Sequence, residues 1–159
     1  MKIKIVKLDE EVITPFYGSK GAAGFDIAAN EEVMLYPGKT LVIKTGLQFE
    51  IPAGYELQIR PRSGLSLKSK LRVLLGTVDS DYRGEVGVIT ENIGDDVKRI
   101  SKGDRIAQGI IAPIIKTEFE IVDSLSNTDR GSGGFGSTGL NVKRKELEEL
   151  HELVKQVIK

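Results

Sequence analysis

The sequence predicts an all-β sandwich or barrel with a short helix at its C-terminus, and three observations support this prediction. Apolar residues recur with a period of two in short runs, as in residues 55–60. Gly, Pro, Asn and Asp separate these runs, as in Pro52-Ala53-Gly54. Helical periodicity is missing before Asn141. Many short strands at near-regular spacing are typical of sandwiches and barrels.

The candidate strands follow one another along the chain without a long linker. The first run contains Ile3 and Ile5, and the later runs lie at residues 33–36, 40–43, 55–60, 71–75, 85–90, 106–115 and 119–122. A chain of 159 residues is long enough to form one domain with a sizeable core. We therefore expect a β domain over residues 1–123, a flexible Gly-rich arm over 124–140 and a helical extension over 141–159.

Composition excludes several classes of function. Lys plus Arg equals Asp plus Glu at 23 each, so no global field favours nucleic acid or an anionic membrane as a partner. The chain has no cysteine, which excludes disulfides and thiolate sites, and His151 is its single histidine. The N-terminal segment alternates charged and apolar residues, unlike a signal peptide, and no apolar run is long enough to span a bilayer. We expect a cytoplasmic protein.

The stretch RGSGGFGSTG, residues 130–139, has three interpretations. A flexible linker explains the Gly and Ser residues, but it does not explain Arg130 or Phe135. A phosphate-binding P-loop requires a lysine where Ser137 stands, and no strand precedes the stretch. A mobile arm that orders over a phosphorylated ligand uses every residue: Arg130, Ser137 and Thr138 would contact phosphate, and Phe135 would stack on a base.

The last 19 residues predict an amphipathic helix. Leu147, Leu150, Val154 and Val157 fall at 3-4-3 spacing, which is a coiled-coil type of stripe. Two heptads leave two interpretations open, namely a coiled coil and docking against the body of the protein. We interpret His151, which lies off the stripe, and the basic run at 143–145 as solvated surface.

The segment GTVDSDYRGEV carries two acidic residues, Asp79 and Asp81, that imitate the start of a calcium-binding EF-hand loop. Arg83 occupies a ligand position and Thr90 stands where the loop needs glutamate, so we reject a calcium site. Two interpretations remain. The segment is a hairpin turn, or one of its carboxylates polarises a water for attack on phosphorus.

Two further polar segments can face a phosphate. RPRSGLSLK, residues 60–68, is non-periodic and is interpreted as a polar loop in which Arg62, Ser63 and the N–H of Gly64 can donate to phosphate oxygens. KGDRIAQGII places Gln108 among apolar residues of a strand. A half-buried Gln needs partners, which are either backbone groups or a ligand.

Five segments occur in an order that resembles the five motifs of the trimeric dUTP pyrophosphatases (dUTPases): AAGFDIAA, PRSGLS, GTVDSDYRG, GDRIAQ and RGSGGFGSTG, from Ala22 to Gly139. The resemblance implies a jelly-roll β-sandwich that assembles as a homotrimer with active sites shared between subunits. It implies hydrolysis of dUTP to dUMP and pyrophosphate, which keeps uracil out of DNA, with the C-terminal arm as a lid. It also implies Mg²⁺ as the cofactor, bound chiefly by phosphates and water.

The same resemblance assigns roles to single residues. Asp79 would orient and deprotonate the water that attacks the α-phosphorus, and Tyr82 would exclude a ribose 2′-hydroxyl. Asp26 would lie near the metal and contact it only through water. The backbone of the hairpin would bind uracil at Leu75, Gly76 and Val78. The triphosphate would be held by Arg62, Ser63, Gly64 and Gln108. The arm would bind the distal phosphate and the base through Arg130, Phe135, Gly136, Ser137 and Thr138.

The sequence departs from the family pattern at two positions, and two rival functions remain. Gly109 replaces an apolar branched residue and Thr77 replaces an aliphatic one, which puts local packing in doubt. A dCTP deaminase-like enzyme would need a catalytic glutamate where Ile89 stands, and Glu91 lies two residues beyond that place. A regulatory role, as in some phage-encoded relatives, would use residues 141–159 to bind a partner protein.

Overall fold

The computed structural model describes residues 1–134 and 144–157. Within these residues the chain forms twelve strands and two helices. The strands are β1 (Lys4–Lys7), β2 (Phe16–Tyr17), β3 (Phe25–Ala28), β4 (Val33–Leu35), β5 (Thr40–Lys44), β6 (Leu47–Glu50), β7 (Tyr55–Arg60), β8 (Leu71–Val73), β9 (Gly76–Val78), β10 (Gly87–Asn92), β11 (Lys98–Ile100) and β12 (Arg105–Pro113). The helices are α1 (Ser63–Ser69) and α2 (Arg144–Val157).

The strands pair antiparallel in four sheets. The largest sheet has five strands in the order β2-β3-β12-β7-β9, and a second has the order β5-β10-β8. Two-stranded sheets β1-β6 and β11-β4 complete the set. The prediction of an all-β fold with a C-terminal helix is confirmed.

A single core lies between these sheets. Ile27, Ile43, Leu47 and Leu57, which come from β3, β5, β6 and β7, are fully buried. In β7 the buried Leu57 and Ile59 alternate with more exposed polar residues, as the period of two requires. Each fully buried Leu or Ile contributes about 1.5–3 kcal/mol, so the burial of these side chains strongly favours folding.

The helix α1 replaces the polar loop that was expected at residues 60–68, so that expectation was wrong. Seven residues are too few for a helical period to stand out in the sequence. The Ser69 hydroxyl donates to the carbonyl of Leu65 at 2.5 Å and accepts from the N–H of Leu71 at 3.2 Å. Lys70 ends the helix in the left-handed conformation, with φ 60° and ψ 22°.

The chain divides into two units, Met1–Thr117 and Glu118–Lys159. The first unit contains all twelve strands. In the second unit, the strand that was expected at residues 119–122 is not formed, so that expectation was wrong; Phe119 and Ile121 are 94% and 99% exposed. Their alternation with glutamates fits a strand, but no strand of the described residues pairs with the segment. Among the described residues, no helix is long and apolar enough to cross a membrane.

Candidate active site

The outer face of the five-stranded sheet carries a row of polar side chains. Asp26 on β3 lies opposite Gln108 on β12, which in turn lies opposite Arg60 on β7. Their neighbours Phe25 and Ile59 point to the other face and are buried in the core. Because directly opposed residues in an antiparallel sheet share a face, the polar row faces away from the core.

A bulge in β12 brings Arg105 to the same face as Gln108. The register against β3 shifts between Arg105 and Ala107, so Ile106 is an additional residue with no opposite partner. Ile106 and Ala107 are both buried although they are consecutive. In a regular strand, residues 105 and 108 would point to opposite faces. The additional residue of the bulge places both side chains on the same face.

Asp26 forms ion pairs with two arginines. Its Oδ1 lies 2.8 Å from Nε of Arg62, and its Oδ2 lies 2.9 Å from Nη1 of Arg105. Arg62 Nη1 also donates to the backbone carbonyl of Arg105 at 2.9 Å. The side chains of Asp26 and Arg62 are only 13% and 27% exposed, so solvent screens their ion pair less than it screens a surface pair. The network fixes the Arg62 guanidinium in one orientation.

Residues of three expected motifs line one cavity of about 320 Å³ beside this network. The lining residues are Gly18, Ser19, Ala22, Gly24, Asp26, Arg62, Ser63, Gly64 and Gln108. The structure thus brings together Asp26 and the four residues expected to hold a triphosphate. Gln108 donates from Nε2 to the Pro61 carbonyl at 2.9 Å, so a backbone group satisfies one side of its amide.

A second cavity of about 480 Å³ has Gln108 in common with the first. It is lined by Gln58, Ile59, Arg60, Pro61, Leu75, Gly76, Thr77 and Gln108. Thr77 is exposed and lies opposite Gln58 on the outer face, so its hydroxyl costs no core packing. Val78, which was expected to bind uracil, is half-buried and packs against the core.

The hairpin expected from Leu75 through Asp79 and back is not formed, so that expectation was wrong. Strand β9 pairs with β7, whereas β10 pairs with β5 and β8, and residues 79–86 therefore connect two sheets. A turn does form there, because the Tyr82 N–H donates to the Asp79 carbonyl at 3.2 Å. Asp79 is exposed, and no hydrogen bond or ion pair within residues 1–134 and 144–157 engages its carboxylate.

Tyr82 lies directly over Gly84. Its hydroxyl donates to the Glu85 carbonyl at 3.1 Å, and a Cβ on Gly84 would lie 2.5 Å from Cζ of the ring. The Glu85 carboxylate accepts from the Gly46 N–H at 2.8 Å and so anchors the segment to the body. Tyr82 and Asp79 are not among the residues that line the two cavities.

Arg130 lies in a tight turn of the second unit. Its Nε donates to the Gly133 carbonyl at 2.9 Å, and Gly131 has φ +50° with its N–H bound to the Thr128 carbonyl at 3.0 Å. A positive φ favours glycine. The other residues expected in the arm lie outside the described residues: Phe135, Gly136, Ser137 and Thr138.

Sequence reasoning did not assign a role to Arg105, although the GDRIAQ segment contained it. The signal was weak because counting by twos from Gln108 places residue 105 on the core face.

The described residues offer neither a free deaminase-type glutamate nor a metal site. Glu91, the residue nearest to the place of the deaminase glutamate, is bound by Arg72 through two guanidinium nitrogens. Among the described residues, no three Asp, Glu or His side chains cluster in a way that could hold a metal ion.

Comparison with known proteins identifies the class of this protein as nucleotide hydrolases. A relative from Nautilia profundicola, named deoxyuridine 5′-triphosphate nucleotidohydrolase, is 52% identical over 141 residues, which cover 87% of this chain and 99% of the relative. A relative of the same name from Roseobacter denitrificans is 54% identical over 136 residues, which cover 82% of this chain and 90% of the relative.

A solved structure and a family model identify the family within this class. The Staphylococcus bacteriophage 80alpha dUTPase with dUPNHPP has a TM-score of 0.84 and 31% identity, with 87% of this chain and 99% of that chain covered. The family model described as dUTPase matches residues 10–139. The chain therefore belongs to the dUTPase family.

Proposed function

We propose that this protein hydrolyses dUTP to dUMP and pyrophosphate by attack of water on the α-phosphorus. The single observation that carries the proposal is the Asp26–Arg62–Arg105 network beside Gln108, at the edge of a polar cavity. It lies within the residues that match the dUTPase family, and the relatives from Nautilia profundicola and Roseobacter denitrificans are named as hydrolases of deoxyuridine triphosphate.

The triphosphate is bound by Arg62, Ser63, Gly64 and Gln108. Two guanidinium groups share one carboxylate, so the network itself carries one net positive charge beside the cavity. A guanidinium held by Asp26 presents its remaining donors to phosphate oxygens without first losing side-chain entropy. The N–H groups of Ser63 and Gly64 and the Gln108 amide add uncharged donors.

Asp79 orients and deprotonates the attacking water. Its carboxylate is exposed and is bound to no other residue among the described ones, so both oxygens are available to a water molecule. A positioned carboxylate of this kind contributes about 10²–10⁴-fold to a rate as a general base. Backbone groups near Leu75, Gly76 and Val78 bind uracil, and the Tyr82 ring lies under the sugar and rejects a 2′-hydroxyl.

The oxygen ligands that this chain can offer fit a Mg²⁺ ion that is held mainly by the substrate. Both Asp26 oxygens are bound by arginines, and the described residues offer no cluster of three ligands, so phosphate and water oxygens supply the ligands. Asp26 contacts the ion through water at most. When bound, Mg²⁺ neutralises charge on the phosphates. A structural Mg(II) ion is described for a dUTPase of S. aureus phage phi11, with a TM-score of 0.76 and 27% identity.

The active site is completed between copies of the chain in a homotrimer. Asp79 and Tyr82 do not line the cavities beside Arg62 within one chain, which supports a site built from more than one copy. The arm then closes over bound nucleotide through Arg130, Gly136, Ser137 and Thr138, with Phe135 stacked on uracil. Residues 141–159 lie outside the family match, so their deletion should leave hydrolysis largely intact.

The test is release of pyrophosphate from dUTP, dTTP, dCTP and UTP with and without Mg²⁺, combined with the mass of the protein by light scattering. We expect hydrolysis of dUTP alone and the mass of three chains. UTP hydrolysis close to that of dUTP would contradict the role of Tyr82. Release of ammonia from dCTP would support the deaminase instead, and no turnover of dUTP would refute the proposal.

A further inference from the structure

The helix α2 has an apolar face that is exposed to solvent. Its five large apolar residues, Leu147, Leu150, Leu153, Val154 and Val157, are 51%, 60%, 59%, 49% and 83% exposed. A 14-residue helix is marginally stable alone in water, and most helices of this length depend on packing of their apolar face. The apolar face of α2 therefore needs a partner surface.

The helix is an addition to the part of the chain that the family has in common. The family match ends at residue 139, and α2 begins at Arg144. The Nautilia profundicola relative is covered over 99% of its length by 87% of this chain. A function of α2 is therefore separate from the chemistry that the relatives have in common.

The width of the apolar face indicates how many helices it packs against. In a heptad, Leu147 and Val154 take position a, Leu150 and Val157 take position d, and Leu153 takes position g. A seam of a and d residues alone is typical of coiled coils, whereas a third apolar position widens the face to that of a bundle helix. The face of α2 therefore fits contact with two neighbouring helices rather than one.

The opposite side of α2 is suited to water. Glu149 and Gln156 are exposed there, and Lys155 forms an ion pair with Glu152 at 2.7 Å. The polar and apolar sides are thus separated over residues 147–157. The helix can bury one side in a bundle without burying a charge.

We propose that α2 packs against two copies of itself, one from each of the other subunits, in a parallel three-helix bundle. The proposal rests on the homotrimer of the proposed function, because closed threefold symmetry gives three equivalent helices that run in the same direction. While the arm is open, the 26 residues between Thr117 and Arg144 can span at most roughly 90 Å, which allows helices from three subunits to meet. Tethering also raises the effective concentration of the helices to about the millimolar range.

The absence of cysteine from the sequence makes a sharp test possible. In a parallel bundle, Leu150 lies in one layer with Leu150 of both neighbours, so L150C places three thiols together. The full-length variant is treated with a short trifunctional maleimide at sub-micromolar protein and analysed on a denaturing gel. V154C tests a second layer if L150C loses helical circular dichroism, and Q156C on the exposed side is the matched control.

We expect L150C and V154C to form three covalently joined chains roughly a hundredfold faster than Q156C, because all three variants share the same tether but only the bundle interior holds the three thiols in one layer. Equal rates for L150C and Q156C would show that the tethered helices meet without a fixed arrangement and would overturn the proposal. A product of only two chains would indicate a pairwise contact, and no cross-linking would indicate a different occupant of the face; both overturn the bundle. The same samples are assayed for mass and for pyrophosphate release, so failure of the hydrolase or the trimer is detected separately.

Discussion

The ring of Phe25 occupies the space that a side chain at Gly109 would need. A Cβ at position 109 would lie 2.5 Å from Cζ of Phe25 and 2.9 Å from Cδ1 of Leu57. Phe25 is itself held by a stacked contact with Phe49 at 6.1 Å and an edge contact with Tyr17 at 5.8 Å. The glycine that departs from the family pattern is therefore matched by a large neighbour that fills the space beside it.

Gly109→Val should destabilise the protein by about 1–3 kcal/mol, the usual cost of overpacking a core. Urea denaturation measures the change, and Gly21→Ala, whose Cβ would meet nothing within 4 Å, is the control. Because both changes act on one volume, Phe25→Leu should recover part of the loss when it is combined with Gly109→Val. Additive effects of the two substitutions would show that the Phe25 ring does not limit the space for a side chain at position 109.

Asp26→Asn should raise KM for dUTP and lower kcat, with a combined loss of up to about a hundredfold in kcat/KM, because the substitution releases Arg62 from its fixed orientation. Steady-state kinetics checks this. Glu32→Gln removes an exposed ion pair with Arg99 and should leave both constants unchanged. Parental kinetics for Asp26→Asn would mean that the network does not position Arg62.

Gly84→Ala should reduce discrimination between dUTP and UTP while the fold is retained. The new Cβ displaces the Tyr82 ring, and an exposed ring can move at little cost. The measurement is the ratio of kcat/KM for the two nucleotides, with Gly21→Ala as the control. An unchanged ratio would show that the position of the Tyr82 ring does not determine the selectivity for the sugar.

Asp79→Asn should lower kcat by about 10²–10⁴-fold while affinity for a non-hydrolysable dUTP analogue stays near that of the parent. Rapid-quench turnover and calorimetric binding separate the two effects. Asp95→Asn changes another exposed carboxylate and should affect neither quantity. Normal turnover of the Asp79 variant would show that the Asp79 carboxylate takes no part in the reaction.

Asp9 should contribute to the loss of stability in acid. The Asn30 amide donates to its carboxylate at 2.6 Å and lowers the pKa of Asp9 below the ordinary value of 3.8. A depressed pKa stabilises the fold above the ordinary value, and this stabilisation is lost as the pH falls through the lowered pKa. Urea midpoints at about pH 7 and about pH 3 should therefore differ less in Asp9→Asn than in the parent or in Asp95→Asn. An equal difference would contradict this contribution.

Alternation predicted only part of the fold, since β6 alternates regularly and was not predicted. Residues 55–60 alternate regularly and form β7 over the expected bounds. In contrast, β3 has three buried residues among four, and α1 has only seven residues, so neither shows a clear period. Residues 119–122 alternate well but have no paired strand in the described chain, because a pattern specifies a strand only when a partner edge is present.

The candidate site could be predicted as a set of residues but not as an arrangement. Ordered motifs supplied Asp26, Arg62 and Gln108, which the structure places around one cavity. The contact of Arg105 with Asp26 could not be predicted, because it depends on the bulge at Ile106. A bulge is a property of the pairing of two strands, and nothing within β12 alone signals it.

The bulge at Ile106 makes the length of β12 as important as its composition. Deleting this one residue would restore strict alternation and leave Arg105 on the outer face with its partner carboxylate, but it would remove a buried apolar side chain from the core. Protein engineers who shorten the strand at this position would therefore lose packing in the interior while the cleft kept its register. Substitutions that preserve its length leave both in place.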